Sequence, residues 1–235
     1  MNDLFHLFGL RIVNVRWGPR GPWNALRRAR SCGIFPKQIV DIGASNGKWT
    51  QECLRIYPDA RYFLIDPLPA NLPALNALQS SRPGVRIWHG ALGRAPGILE
   101  FYSHGDQSSF FTSDSFPTQD INRIDIRCLD SFLGTEHMQS PDFIKADVQG
   151  FELEVLRGAT TCLKSVQLLL LEVSFRRVYC DAPLAHEVIS AVGNWGFRIY
   201  DICTYEGRPS DGELAQSDIL FAPEDSPLFA NEGWS

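Results

Sequence analysis

Short apolar runs alternate with amphipathic stretches along most of this chain, and that alternation predicts its elements. Gln38–Ile42, Arg61–Ile65 and Val85–Trp88 read as strands; the second ends in Asp66-Pro67 and the third runs into His89-Gly90-Ala91. Between them, residues 47–57 read as a helix closed by Pro58-Asp59, and a second helix carries Leu72, Leu75 and Leu78 on one face. The rhythm then breaks. Ile98–Tyr102 and Ile124–Cys128 read as short strands around a polar stretch, 103–122, which predicts a lid or sheet-edge extension inserted at about residues 98–128. It resumes with Asp142–Asp147, a turn at Val148-Gln149-Gly150, and a helix over 151–158 closed by its glycine. Residues 166–171 hold almost no polar side chain, as a strand buried on both faces should, and Glu172 follows. Pro183–Trp195 reads as a helix with Ala185, Val188, Ile189 and Val192 inward. Phe197–Cys203 and Asp218–Ala222 supply two last strands.

Strand alternating with helix predicts an α/β fold: a central, mostly parallel sheet of seven strands, helices on both faces, the last strand antiparallel. Residues 37–222 form that domain. Residues 1–36 form a helical lead, either a packing arm or a cap over the site, with Trp23–Arg30 as a short basic helix. Residues 223–235 form an irregular tail.

The densest chemical signal is Asp41-Ile42-Gly43-Ala44-Ser45-Asn46-Gly47, at a strand–turn–helix junction. Gly43 permits a steep turn, and Gly47 permits close approach by a ligand or a helix. Asp41 is placed to reach a cationic or amide group held above the turn. The G-x-G-x-x-G spacing of dinucleotide sites is not met, because Ser45 replaces its middle glycine. The hydrolase pattern G-x-S-x-G is met by letters, but that elbow normally follows several strands, and little strand signal precedes Ser45. The D-x-G-x-x-x-G loop of S-adenosylmethionine sites also fits, as does a glycine turn that only packs a helix.

Acids close four strands, Asp41, Asp66, Asp147 and Glu172, and in an open parallel sheet all four face one crevice. Asp66 follows Gly47 by nineteen residues, which suits a carboxylate taking both hydroxyls of a ribose. Helix capping is the plainer role for such acids. Gly90 and Ala91 can lay backbone against an adenine edge. Clustered carboxylates attract a sulfonium and repel a pyrophosphate, which favours S-adenosylmethionine over a nicotinamide dinucleotide. Asp147 is the first candidate for a base; a structural or cofactor-contacting role is also open to it. Lys145 shares its side of the strand with Asp147 and pairs with that acid, with a substrate anion, or within a buried network. His89, His104 and His186 have no partner at metal-ligand spacing. Asp147 and Glu172 could together hold Mg²⁺ with substrate hydroxyls.

Charge and cysteine usage narrow the partners. With 27 acids against 22 lysines and arginines, the net charge of -5 argues against nucleic acid as the main partner. Six cysteines without a C-x-x-C pair point to reduced thiols and a cytoplasmic location. No apolar run is long enough for a membrane span, and Met1–Leu10 lacks the basic start of a signal peptide. A homo-oligomer remains open.

Jointly, these motifs resemble the FkbM family of S-adenosylmethionine-dependent methyltransferases. Lys145-Ala146-Asp147-Val148-Gln149-Gly150-Phe151-Glu152, continued to Ala159, is similar to the family's K-x-D-x-E-G-x-E-x-x-V-L-x-G-A signature. Val40–Gly47, Ile65-Asp66-Pro67, Ala91-Leu92-Gly93, Ser108-Ser109 and Leu170-Leu171-Glu172-Val173 extend the match over about residues 38–200. Gln149 departs from it, standing where the family has Glu. The resemblance implies a Rossmann-like class I methyltransferase fold and methyl transfer to an oxygen of a small hydroxylated molecule, a sugar or natural product. It implies cofactor contacts from Asp41, Gly43, Ala44, Ser45, Asn46, Gly47, Asp66, Pro67, Gly90, Ala91 and Ser109, with Asp147, Lys145 and Glu172 as the catalytic group. Two alternatives stand beside it: a non-catalytic cofactor-binding relative, motivated by Gln149, and an NAD-linked oxidoreductase.

Overall fold

β1 (Gln38–Ile42) is buried at every position. A strand with no wet face belongs in the middle of a sheet covered on both sides, and there it lies. β2 (Arg61–Asp66) pairs parallel with one of its edges and β7 (Phe143–Ala146) with the other. β3 (Val85–His89) continues the sheet beyond β2, and β8 (Leu168–Ser174) beyond β7, both parallel. β11 (Leu214–Pro223) runs antiparallel against β8. It also pairs with β9 (Phe197–Ile202) and with the two-residue β10 (Glu206–Gly207). The computed structural model of the chain describes residues 21–105, 107–114, 120–135, 139–208, 210–230 and 233.

Period-two alternation divides these strands between two cores. Val40, Ile42, Phe63, Ile65, Ile144 and Leu171 turn to one face, with α4 (Leu129–Thr135), α5 (Glu152–Arg157) and α6 (Ala185–Asn194). Ile39, Tyr62, Leu64, Phe143 and Leu170 turn to the other, with α1 (Gly21–Ser31), α2 (Lys48–Ile56) and α3 (Leu72–Ser81). α1 is therefore a wall of the sheet. Its Ala25, Leu26 and Ala29 are fully buried, Tyr57 donates its hydroxyl to the Leu26 carbonyl at 3.1 Å, and Arg28 pairs with Asp201 of β9. The first twenty residues of the lead lie outside the described residues.

The insertion is a second sheet. β5 (Gly97–Ser103) and β6 (Asp120–Arg127) pair antiparallel, and β4 (Ala91–Leu92) lies parallel against β6.

Three differences from the sequence reading share a cause. The main sheet has eight strands rather than seven, because β10 folds back on β11. β6 begins at Asp120 and β11 at Leu214, each four residues earlier than the apolar pattern suggests. An antiparallel partner supplies the ladder hydrogen bonds whatever the polarity of the side chains; Glu100 faces Arg123 across β5 and β6. The same extension changes the place of Glu172. It lies inside β8, opposite Asp218 of β11, rather than beyond the strand end. α4 has no counterpart in the sequence reading. Seven residues give the helical period too little length to register, yet the helix buries Leu129, Phe132 and Leu133.

Phe132 anchors α4, with its ring 5.2 Å from that of Phe63 and 4.5 Å from that of Trp88. Phe132→Ala should cost about 3–5 kcal/mol of unfolding free energy in urea titration. A loss below about 1 kcal/mol would show that α4 is not part of the cooperative core.

Candidate active site

The loop after β1 is built around close backbone contact. Gly43 has φ +75°, and a Cβ there would stand 1.8 Å from the Asp147 carbonyl oxygen. The β1 loop and the β7 loop thus touch main chain to main chain, which only glycine allows. Gly43 and Ala44 both donate their N–H to the Ile65 carbonyl, at 2.9 and 3.1 Å. Ser45, with φ +47°, donates its N–H to Asp66 Oδ2 at 2.8 Å. Asp66 Oδ1 accepts from the Leu68 N–H and from Asn71 Nδ2, each at 2.9 Å. A carboxylate has about four lone-pair positions, so Asp66 fastens the glycine loop to the entry of α3 and keeps room for one more donor. Burial raises its carboxyl.

Beneath the loop lies an ion network. Asp41 is fully buried and Lys145 nearly so; the ammonium stands 3.1 Å from Asp41 Oδ1 and 3.4 Å from Asp147 Oδ2. Lys145 also donates to the Gly43 carbonyl at 2.8 Å, and the Thr50 hydroxyl donates to Asp41 Oδ2 at 2.6 Å. Burial raises the Asp41 carboxyl. Burial alone would lower the Lys145 ammonium, but Asp41 and Asp147 outweigh it and hold the ammonium above its ordinary value.

A cleft of about 400 Å³ opens above, along the carboxyl edge of the sheet. One half is lined by Gly43, Ser45, Asn46, Asp66, Pro67, Asn71, Gly90 and Ala91. The other is lined by Asp147, Gln149 and Glu172, with Phe101, Gln107, Ser108 and Phe110 from the insertion and Phe151 beside them. Phe110 packs 4.9 Å from the Phe101 ring and 4.8 Å from that of Phe151.

Five residues expected to touch cofactor or substrate do not line this cleft. Asp41 and Lys145 are spent on each other below the floor. Ala44 is buried in the core. Gly47 serves helix packing, since a Cβ there would meet Leu78 at 3.1 Å and Leu75 at 3.3 Å. Ser109 donates its hydroxyl to the Gln149 carbonyl at 2.7 Å and accepts from the Phe111 N–H. His89 is bonded through Nε2 to the Pro67 carbonyl, and His104 and His186 do not line the cleft either.

Gln149 is the residue whose role the sequence did not reveal. Its Nε2 donates to Asp147 Oδ1 at 3.1 Å and to Glu172 Oε2 at 2.9 Å. Gln216 donates to the same Glu172 oxygen at 2.8 Å. Burial raises the Glu172 carboxyl well above its ordinary value, and Asp147, Glu152 and Asp218 add to it. Burial pushes Asp218 up to about 6, with Asp147 adding. The expected Mg²⁺ finds no support. The Gln149 amide stands between Asp147 and Glu172, and among the described residues no three His, Cys, Asp or Glu side chains are grouped to hold a metal ion. A signal for Gln149 was present, as the one departure from the motif; Phe110, an aromatic within a polar stretch, was a second.

Residues 41–199 match the methyltransferase FkbM domain model. The chain belongs to the FkbM methyltransferase family. The dinucleotide and hydrolase readings of the glycine loop fall with that membership. Among relatives, the domain is 24% identical over 189 residues to 2-O-methyltransferase NoeI of Sinorhizobium fredii, covering 72% of this chain and 78% of that one. It is 26% identical over 138 residues to hexuronic acid methyltransferase AglP of Haloferax volcanii, covering 57% of this chain and 55% of that one. The crystal structure of methyltransferase FkbM from Methylobacillus flagellatus superposes with a TM-score of 0.50 at 17% identity, over 78% of this chain and 43% of that one. That likeness shows the shared Rossmann-like fold of class I methyltransferases. This chain thus spans about half the length of the second relative and less than half of the crystallised protein. No helix among the described residues of the FkbM domain is long and apolar enough to cross a membrane.

Two predictions concern the buried charges. Lys145→Met strands Asp41 without its cation and should cost about 3–5 kcal/mol at pH 7. Adding Asp41→Asn should recover part of that loss; a double variant no more stable than the single one would refute the pairing. Glu152 accepts the Val148 and Gly150 N–H groups on Oε1, at 3.0 and 3.2 Å, yet burial pushes its carboxyl from 4.5 up to about 7. Its folded value lies above its unfolded one. Its stabilisation is therefore complete below about pH 4.5 and is lost as pH rises through about 7. Glu152→Gln keeps the acceptor and should flatten that part of the stability–pH curve, read by urea unfolding at stepped pH.

Proposed function

We propose that this FkbM domain transfers a methyl group from S-adenosylmethionine to a hydroxyl of a small neutral sugar. The observation that carries the reading is one continuous cleft, with a ribose-sized carboxylate site at one end and a bridged carboxylate pair at the other. The residues present suit the cofactor. Asp66 has room for one ribose hydroxyl, and the Oδ1 of Asn71, whose Nδ2 is already bonded to Asp66, takes the other. Gly90 and Ala91 line the same end of the cleft and could offer backbone to an adenine edge, and Gly43, Ser45 and Asn46 could receive the amino-acid end. Bound there, S-adenosylmethionine supplies a methyl group on a positively charged sulfur.

The chain's own residues do the rest. Asp147 and Glu172 line the far half of the cleft with carboxyl oxygens, which favours the sulfonium. The same field disfavours a carboxylated acceptor, which is why the proposal names a neutral sugar although one relative is a hexuronic acid methyltransferase. Neighbouring hydroxyls of a pyranose suit the pair: one donates to Glu172, the next to Asp147. Phe110 and Phe151 offer an apolar face to the ring carbons. Glu172 takes the proton, its Oε2 being held in place by the amides of Gln149 and Gln216. Glu172 would take the acceptor's hydroxyl proton as that oxygen receives the methyl group, which bound S-adenosylmethionine would supply by leaving its bonding pair on sulfur. Alignment supplies most of the acceleration.

Calorimetric titration with S-adenosylmethionine and S-adenosylhomocysteine should give binding of about micromolar strength. Asp66→Ala should weaken it by about 10- to 100-fold; unchanged affinity would remove the ribose assignment. In a screen of neutral glycosides, Glu172→Gln should lower transfer by about 10²- to 10⁴-fold while S-adenosylhomocysteine still binds. Cofactor binding with no transfer to any hydroxylated acceptor would instead leave a binding domain without catalysis.

A further inference from the structure

We propose that Gln149 is the positioning residue of this site: its side-chain amide stands between Asp147 and Glu172 in the place of a shared proton or cation, leaving both carboxylates free to act as ions. The inference rests on the methyl-transfer reading for its purpose, but not for its geometry.

The amide has one orientation that satisfies its surroundings. Both N–H groups of Nε2 are used, one on each carboxylate. Oε1 receives the Tyr179 hydroxyl at 2.8 Å. Reversing the amide would aim a carbonyl oxygen at two carboxylates. Tyr179 is buried and is tied in turn to Gln107, whose carbonyl and Oε1 lie 3.0 and 3.1 Å from the phenol oxygen.

The backbone is held as firmly. Gln149 has φ +53°, a left-handed conformation uncommon for a residue with a side chain. The Ser109 hydroxyl grips its carbonyl, and Glu152 caps the turn through the Val148 and Gly150 N–H groups. Ser109, Glu172 and Tyr179, from three separate segments, thus converge on Gln149. Strain of this kind persists only where surrounding structure over-determines it.

The charges explain the need. Asp147, Glu152, Asp218 and Glu206 all act on Glu172 with the same sign. Lys145 stands against Asp147 and Asp41, on the other side. Toward Glu172, the donors are amides, Gln149 and Gln216. Hydrogen bonds from neutral donors stabilise a carboxylate without adding a proton that must later be removed. A carboxylate at position 149, the usual residue of the motif, would bring a third negative group into contact and require a shared proton or a cation.

The test is a carboxyl ¹³C titration by NMR on the whole chain labelled at glutamate, with Glu172→Gln giving the assignment. In Gln149→Leu the Glu172 midpoint should rise by about one pH unit or more. In Gln149→Glu the single step should become two coupled steps. Tyr179→Phe, which frees the carbonyl end of the amide, should give a smaller rise in the same direction. A Glu172 midpoint unchanged in Gln149→Leu, with S-adenosylhomocysteine binding retained, would overturn the proposal, because a packing role moves no titration. Should the leucine variant not fold, unchanged titrations in both other variants overturn it equally. A wild-type chain that binds no S-adenosylhomocysteine would sink the methyl-transfer reading alone, since the titration needs no cofactor.

Discussion

A single buried ammonium organises the working edge of this sheet. Lys145 reaches across from β7 to β1, where it meets Asp41, the Gly43 carbonyl and Asp147. Removing charges from water is expensive, and a buried ion pair persists only when its geometry and remaining hydrogen bonds offset that cost. Here Thr50 completes the set on Asp41. What the arrangement secures is register: two parallel strands, their loops and an acid are fixed relative to one another by one side chain. The cleft above inherits that rigidity, as sites on fixed elements do.

The frame was legible because the sheet is built from strands whose pattern is unambiguous. β1, β7 and β8 are buried on both faces and mostly apolar, and Gly43, Asp147 and the glycine-closed helix mark boundaries after β1 and β7. Ends were less legible where pairing, not composition, decides them. Asp120–Arg123 and Leu214–Ser217 are strand because a partner lies beside them. α4 was lost for brevity alone.

The site divided along a different line. Residue type and spacing located Asp66, Asp147, Glu172, Gly43 and Gly90 in one cleft. They could not tell which strand acids look up and which look down. Asp41 and Asp147 both follow buried strand residues, but one lies within its strand and turns into the core while the other leaves the strand into the loop. Nor could they show Ser109 and Tyr179 meeting Gln149, and Gln107 meeting Tyr179, because those contacts join segments 30 to 72 residues apart. Long-range polar networks have no local signature.

The contact between Gly43 and the Asp147 carbonyl carries one more consequence. There is no slack between the two loops; whatever displaces the first displaces the second. The Gly43 side and the Asp147 side of the cleft are joined through bare backbone. Linkage is reciprocal: if occupancy of one half changes affinity at the other by some factor, the second ligand returns the same factor to the first. A ligand that moves the Gly43 loop would by the same rule be felt at Asp147, and a ligand at Asp147 would be felt at Gly43.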